Sequence, residues 1–346
     1  MTTDYLIVGL GIAGLHFCEQ LEAHKKRFIA IDNDGVAATK VSGGVYNPVV
    51  LKRFTAAWNA SKHIDAAVGR YSELEKKLET SLLRSVPVYR IFKSIEEQND
   101  WMVASDKQEL SRFLASEVVP NTFRNVKAPF GFGKVLGSGK IDPSKLLAAY
   151  KRYLTQKKAL RTETFQYELL QTQDGSFQYK DIKAHRIIFS EGAAAHLNPY
   201  FPKQYLIPNK GEYLIVHAPQ LDLDVILKGP MFVIPLGNNN YKVGATYSRD
   251  DLSTHPTQEA KEEIVAKLQA MIDCDFTVVE QIAGVRPTTP DRKPLLGSLA
   301  ATPGMYFFNG LGTRGIMNAP TLAEQLYRHI EHNETLSEEI DIRRFY

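Results

Sequence analysis

Tyr5-Leu6-Ile7-Val8-Gly9-Leu10-Gly11-Ile12-Ala13-Gly14 stands almost at the start of the chain, and its reading decides the fold. Four apolar residues make a short buried strand, the glycines follow without a spacer, and apolar positions at helical spacing run on to about His24. Phe28-Ile29-Ala30-Ile31 then restores a strand, so residues 4–34 read as one βαβ unit on a parallel sheet. The GxGxxG spacing gives each glycine its own role. Gly9 permits the tight turn, Gly11 lets a pyrophosphate approach the backbone, and Gly14 lets helix and strand pack closely. A helix opening at Ile12 and Ala13 presents N–H donors and partial positive charge at its tip. Asp32, followed by Asn33, ends the second strand where a carboxylate can accept hydrogen bonds from an adenosine ribose. The plainer reading, a tight connection with Asp32 capping a turn, accounts for fewer of these features together. Nicotinamide and flavin dinucleotides share this unit, so it names neither.

Working outward, 346 residues favour two domains, or one large domain with an elaborated second layer. Hydrophobic residues at 44% and charged residues at 23% are ordinary globular values, which exclude a disordered chain. A net charge of +3 neither requires nor excludes nucleic acid. The two cysteines, Cys18 and Cys274, form no CxxC and no His/Cys cluster, which argues against a disulfide framework and a metal site and fits a reducing cytoplasm. No apolar run is long enough for a bilayer and the N-terminus enters a strand at once, so neither membrane insertion nor export is expected.

Residues 55–80 carry a helical pattern, and Pro87 to Phe92 reads as a strand. Polar helical segments are expected over 93–127, then a Gly-rich connection from Pro129 to Gly139. A helix follows from Asp142-Pro143-Ser144 to about Lys158, a hairpin around Asp174-Gly175, and a strand from Arg186 to Phe189 entering the small-residue turn Ser190-Glu191-Gly192. The stretch 205–285 is strand-rich, with strands over Met231 to Pro235 and Tyr241 to Tyr247 and one charged helix at about 257–272. The end repeats the opening, with Met305 to Phe308 as strand, Asn309 to Gly315 as glycine turn, and Ile316 to about His332 as helix.

Three further segments turn the reading toward flavin: residues 42–48 (SGGVYNP), residues 284–297 (GVRPTTPDRKPLLG) and residues 310–316 (GLGTRGI). With the opening turn they resemble, in order and over essentially the full chain, the FAD-dependent D-amino-acid oxidase and glycine oxidase superfamily. The second and third look most like the oxidase half of the bifunctional bacterial enzymes that mature the tRNA wobble uridine. The chain has no room for their methyltransferase half, so a stand-alone oxidase is expected. The resemblance implies an α/β fold in which a Rossmann-like FAD-binding domain, residues 1–80, 136–204 and 285–346, is interleaved with a strand-rich α+β substrate domain, residues 81–135 and 205–284. It implies noncovalent FAD, neither cysteine lying in a covalent-attachment pattern. Gly9, Gly11, Ile12, Ala13, Gly14, Asp32 and Asn33 would hold the ADP part, while Thr39, Lys40, Ser42, Gly43 and Gly44 follow the isoalloxazine edge and pyrophosphate, and Gly192 contacts the adenosine side. Gly310, Gly312, Thr313, Arg314, Gly315 and Ile316 would bring backbone N–H groups and a helix N-terminus to flavin N1 and O2. A helix tip suits the negative charge that gathers there on reduction.

Amine oxidation at a flavin needs the substrate C–H aimed at N5 and the amine neutral, so positioning dominates the chemistry. An arginine fork suits an α-carboxylate. Arg286 and Arg314 resemble the carboxylate-binding arginines of small amino-acid oxidases; the plainer alternatives are an ion pair of Arg286 with Asp291 and a flavin or backbone contact for Arg314. Tyr247 either hydrogen-bonds the carboxylate or closes the pocket, or is a core residue. Lys242 resembles the lysine that promotes oxygen reduction in sarcosine oxidases, against the plain reading of an exposed strand lysine. Phe232 stands where small amino-acid oxidases carry a tyrosine, which argues against free glycine as substrate. The expected substrate is a small amine, an amino acid or an N-substituted glycine. The alternatives are a tRNA wobble uridine bearing a carboxymethylaminomethyl group and a flavoprotein fold kept as a binding module without catalysis.

Overall fold

A computed structural model describes residues 1–173 and 175–345. Its first sheet runs Leu160–Thr162, Phe28–Asp32, Thr2–Val8 and Ile182–Phe189, all parallel. Parallel strands buried on both faces should be continuously apolar, and Tyr5, Leu6, Ile7 and Val8 are all buried. Beyond Thr2–Val8, the strand Ile182–Phe189 serves two further neighbours. Its first half pairs antiparallel with Ser176–Tyr179, the second arm of the expected hairpin, whose Asp174 lies outside the described residues; its second half pairs parallel with Met305–Asn309. The opening and closing segments of the chain thereby meet in one sheet. The helices Ile12–Ala23, Ala60–Leu78 and Gly315–His332 pack together over it.

The second sheet is mostly antiparallel, in the order Thr277–Arg286, Asn209–His217, Asn240–Gly244, Phe232–Gly237, Ile226–Lys228, Val88–Ile91, Phe132–Val135 and Leu114–Val119. Side chains alternate between its two faces. Leu214, Leu227, Val233 and Val243 join a core with the helix Gln258–Gln269, while Ile226, Phe232 and Ile234 face the other core, under the dinucleotide helices. That second face carries the site.

Three expectations change. The stretch Pro129 to Gly139 is more than a connection, because Phe132–Val135 pairs with Val88–Ile91; a Cβ at Gly133 would lie 2.5 Å from the Trp101 ring, so this glycine seats an indole and signals no loop. Within 93–127, Leu114–Val119 is an edge strand rather than a helix. The strand after the Asn238-Asn239 turn ends at Gly244, which leaves Tyr247 beyond it and 70% exposed. The helix Pro143–Gln156 begins as its sequence suggests, the Asp142 side chain accepting from the Lys145 N–H at 3.0 Å. No described helix is long and apolar enough to cross a membrane.

Candidate active site

The opening turn assigns its glycines by elimination. Gly9 has φ +91°, and a Cβ there would stand 2.7 Å from the Ser190 carbonyl oxygen. A Cβ on Gly14 would fall 2.1 Å from the Gly9 carbonyl oxygen and 2.7 Å from Ser190 Oγ. Both positions are dictated by the protein's own packing. Gly11 is different: its Cβ would meet only Thr39 Oγ1, at 3.6 Å. Nothing in the polypeptide requires a glycine there, and the open space above it is what an approaching phosphate needs. The helix from Ile12 has no side-chain cap, and Thr39 Oγ1 accepts from the Ile12 N–H at 3.2 Å, tying this tip to the 39–44 segment.

Asp32 accepts from the Leu10 N–H at 3.0 Å through one oxygen and from the Asp34 N–H at 3.1 Å through the other, where Lys151 Nζ also binds. Lys40 and Lys151 both grip Asp34, at 2.8 Å each, and these hydrogen bonds hold its carboxyl down at about 2. This ionic lattice borders a cavity of about 510 Å³ that Leu160 and Thr162 help to line. Asn33 caps its own turn, accepting from the Gly35 N–H at 3.0 Å. Gly192, at φ +59°, has open space where a Cβ would be, and its carbonyl accepts from Asn309 Nδ2 at 2.9 Å. The adjoining Glu191 is held up to about 7, chiefly by burial, which hydrogen bonds from Tyr167 and Asn198 only partly offset.

The segment 39–44 lies against the second sheet. Ser42 Oγ donates to the Thr39 carbonyl at 2.9 Å. Gly44 has φ +67°, and a Cβ on Gly43 would strike Ile234 Cδ1 at 2.5 Å. Lys242 is buried, not an exposed strand lysine: its Nζ donates to the Val41 and Ser42 carbonyls at 2.9 Å each, and burial pulls its ammonium down to about 8. Lys242 also stands 5.2 Å from the centre of the Tyr213 ring.

Arg286 ends the strand Thr277–Arg286. Its Nη1 donates to Asn209 Oδ1 at 3.0 Å and toward the Lys210 and Thr246 carbonyls at 3.4 Å, and its guanidinium lies 4.6 Å from the Tyr247 ring centre. The guanidinium crosses directly over Gly211, where a Cβ would be 1.9 Å from Nη2. Asp291, the alternative partner, is instead taken by Arg344 at 2.8 Å. Among the described residues no carboxylate pairs with Arg286, so it is a fixed cation with one edge of its fork occupied by neutral oxygens. Tyr213 reaches both this guanidinium and the Gly43 backbone, and burial raises its hydroxyl pKa, with Arg286 opposing. Arg314 is mostly buried with its pKa lowered by desolvation, and its Nη1 donates to the Asn47 carbonyl at 2.8 Å. The alternative of a backbone contact therefore holds for one edge of Arg314. Gly310 and Gly312 have φ +72° and +53°, Gly315 would press a Cβ to 3.1 Å from Ile12 Cγ2, and Thr313 is exposed. The tip of the last helix, at Gly315 and Ile316, therefore abuts the tip of the first.

Residues 4–328 match the family of FAD-dependent oxidoreductases named DAO. The chain belongs to that family. Glycine oxidase of Pseudomonas aeruginosa is 22% identical over 347 residues, covering 92% of each chain. The tRNA 5-methylaminomethyl-2-thiouridine biosynthesis bifunctional protein MnmC of Idiomarina loihiensis is 30% identical over 185 residues, 47% of this chain and 30% of that protein. Among solved structures, glycine oxidase from Geobacillus kaustophilus superposes with a TM-score of 0.79 at 17% identity over 96% of each chain. L-Proline dehydrogenase from P. horikoshii gives 0.81 at 15% identity, over 99% of this chain and 98% of that one. These likenesses establish the α/β fold with its parallel and antiparallel sheets.

For a DAO-family chain the residues present fit FAD. Gly11 is a cradle that a Cβ would fill, two helix tips converge, and Asp32 offers carboxylate oxygens at the second strand's end. The sequence reading missed Tyr213, Gly211 and Asn209. Each lies on a strand whose alternation was legible, but what they do depends on their pairing with Gly244, Gly284 and Arg286, which only the register reveals.

Proposed function

We propose that this chain oxidises the C–N bond of an amino acid or N-substituted glycine, with Arg286 binding the substrate carboxylate. The observation that carries the reading is the guanidinium of Arg286, paired with no carboxylate among the described residues and fixed by Asn209, two backbone carbonyls and the Tyr247 ring. A charge held by neutral oxygens in a cleft retains its pull on an anion, and a planar fork orients a carboxylate in two directions at once. Tyr213 and Tyr247 flank it, and Arg314 adds a second cation close enough to Tyr247 to interact with it electrostatically. In this reading residues 1–80, 136–204 and 285–346 form the FAD domain and the remainder the substrate domain. Gly9, Gly11, Ile12, Ala13 and Gly14 would hold the pyrophosphate, Asp32 and Asn33 the ribose, Gly192 the adenosine side, and 39–44 with 310–316 the ring. Bound FAD supplies a hydride acceptor at N5. The protein's part is to fix the carboxylate, exclude water around the reacting carbon, and keep cations near so that the substrate amine arrives neutral.

A second reading, a tRNA-borne carboxymethylaminomethyl group entering the same clamp, is supported by the similarity to MnmC. The two separate by salt: a tRNA substrate loses affinity steeply as ionic strength rises, whereas a small amine held by one arginine does not. Steady-state oxidation of N-substituted glycines by purified protein, against Arg286→Ala, tests the clamp. A tenfold or greater rise in KM at unchanged FAD content is expected, and an unchanged KM removes the assignment.

A further inference from the structure

The face of the second sheet that carries Tyr213 continues across further strands. Hydrogen-bond register places Arg90, Lys228, Phe232, Gly244 and Tyr213 in one row across five neighbouring strands. Their neighbours Leu227, Val233, Val243 and Leu214 all belong to the core on the opposite face, so alternation turns the whole row toward the cleft side. The Tyr213 ring packs over Gly244, where a Cβ would lie 2.6 Å from Tyr213 Cδ1, and Phe232 follows on the next strand. At the far end Lys228 Nζ sits 4.9 Å from the Phe232 ring centre and donates to the Gly229 and Pro230 carbonyls at 3.0 and 3.3 Å. An ammonium has three donors, so one remains. Among the described residues no carboxylate pairs with Lys228; the nearby Glu97 is taken by Arg90 and by the Lys93 N–H. Burial first, then Arg90, Lys267 and Lys93, lower this ammonium to about 8.

We infer that Lys228 forms a second anion subsite, across Phe232 from Arg286, that reads a carboxylate or phosphate at the far end of the substrate's N-substituent. The inference rests on the carboxylate clamp proposed above. Nζ above Phe232 stands two strand spacings from the Tyr213 strand, and the Arg286 guanidinium lies over Gly211, two residues along that strand, so the two cations are roughly 12 Å apart. At about 1.2 Å of reach per bond, and with each anion standing off its cation, that separation suits an arm on the order of eight bonds, too long for an aspartate or glutamate side chain. A hydroxyl at 232 would offer a competing hydrogen bond; the phenyl face instead packs against the cation without competing for an anion.

The test uses FAD-loaded protein and three ligands of matched length, nonanoate, nonanedioate and 8-phosphonooctanoate, with Kd read from perturbation of the flavin absorbance and by calorimetry. In the wild type either dianion should bind at least tenfold more tightly than nonanoate, whichever is tighter identifying a carboxylate or a phosphate arm. Lys228→Met should abolish that advantage while leaving nonanoate binding unchanged, and Lys228→Arg should keep it. Equal binding of all three in the wild type, or an advantage that survives Lys228→Met, overturns the subsite. Arg286→Ala reports on the clamp separately: if it binds nonanoate as the wild type does, the parent reading fails whatever Lys228 does.

Discussion

Replacing Gly11 and Gly14 separately by alanine should separate a glycine kept for a ligand from one kept for the fold. At Gly14 the added methyl would stand 2.1 Å from the Gly9 carbonyl oxygen, with Ser190 Oγ at 2.7 Å. Helix propensity would favour alanine there by about 1 kcal/mol. Overpacking against backbone costs about 1–3 kcal/mol and here has no flexible neighbour to absorb it, so the clash wins. The apoprotein should therefore melt several degrees lower, at roughly 2–4 °C per kcal/mol for a larger domain. At Gly11 the methyl meets only Thr39 Oγ1 at 3.6 Å, so the apoprotein should lose no more than about 1 kcal/mol, the cost of alanine at a helix N-cap. FAD affinity should nevertheless fall at least thirtyfold, about 2 kcal/mol, because the methyl occupies the phosphate's path. Apoprotein melting and FAD titration by flavin fluorescence measure the two effects independently. Native FAD affinity in Gly11→Ala, or an apoprotein melting point lowered equally by both substitutions, would refute the reasoning.

Further outcomes follow from buried charges. Lys210 is almost fully buried and binds Asp251, Ser253 Oγ at 3.4 Å and Glu212 at 3.4 Å, fixing the loop after Tyr247. Lys210→Met removes the cation paired with the buried Glu212, which then keeps only neutral donors from Thr257 and Gln281, and should cost about 3 kcal/mol in denaturant unfolding, as for other broken buried pairs. Glu191 has its carboxyl raised to about 7. Its contribution to stability is thus full below about 4.5 and lost as pH rises through 7, a slope that Glu191→Gln should remove from melting curves. Lys242, lowered to about 8, should lose its charge above that pH. If it assists oxygen, flavin reoxidation slows across pH 8 in the wild type and stays slow and flat in Lys242→Met.

The dinucleotide unit was legible because three levels agree there: apolar runs, glycine spacing and a carboxylate at the strand end. Arg286 was legible through its segment, GVRPTTPDRKPLLG, but not its environment. Asn209, Gly211 and Tyr213 lie more than seventy residues away in sequence, and only strand register brings them beside it. The burial of Lys242 was equally hidden, since a lysine in an alternating strand reads as solvated until the 39–44 segment covers it. Leu114–Val119 escaped because an edge strand with a mostly exposed face carries no clear period.

The central claim, a FAD-dependent oxidation of a carboxylated amine, is tested most directly by anaerobic bleaching of the bound flavin. FAD-loaded protein would be mixed with D-amino acids, glycine, sarcosine, longer N-substituted glycines and undermodified tRNA. Loss of the oxidised flavin absorbance is expected with an N-substituted glycine or amino acid, and not with Arg286→Ala at the same concentration. A flavin that stays oxidised with every one of these amines, while dithionite reduces it normally, would contradict the account.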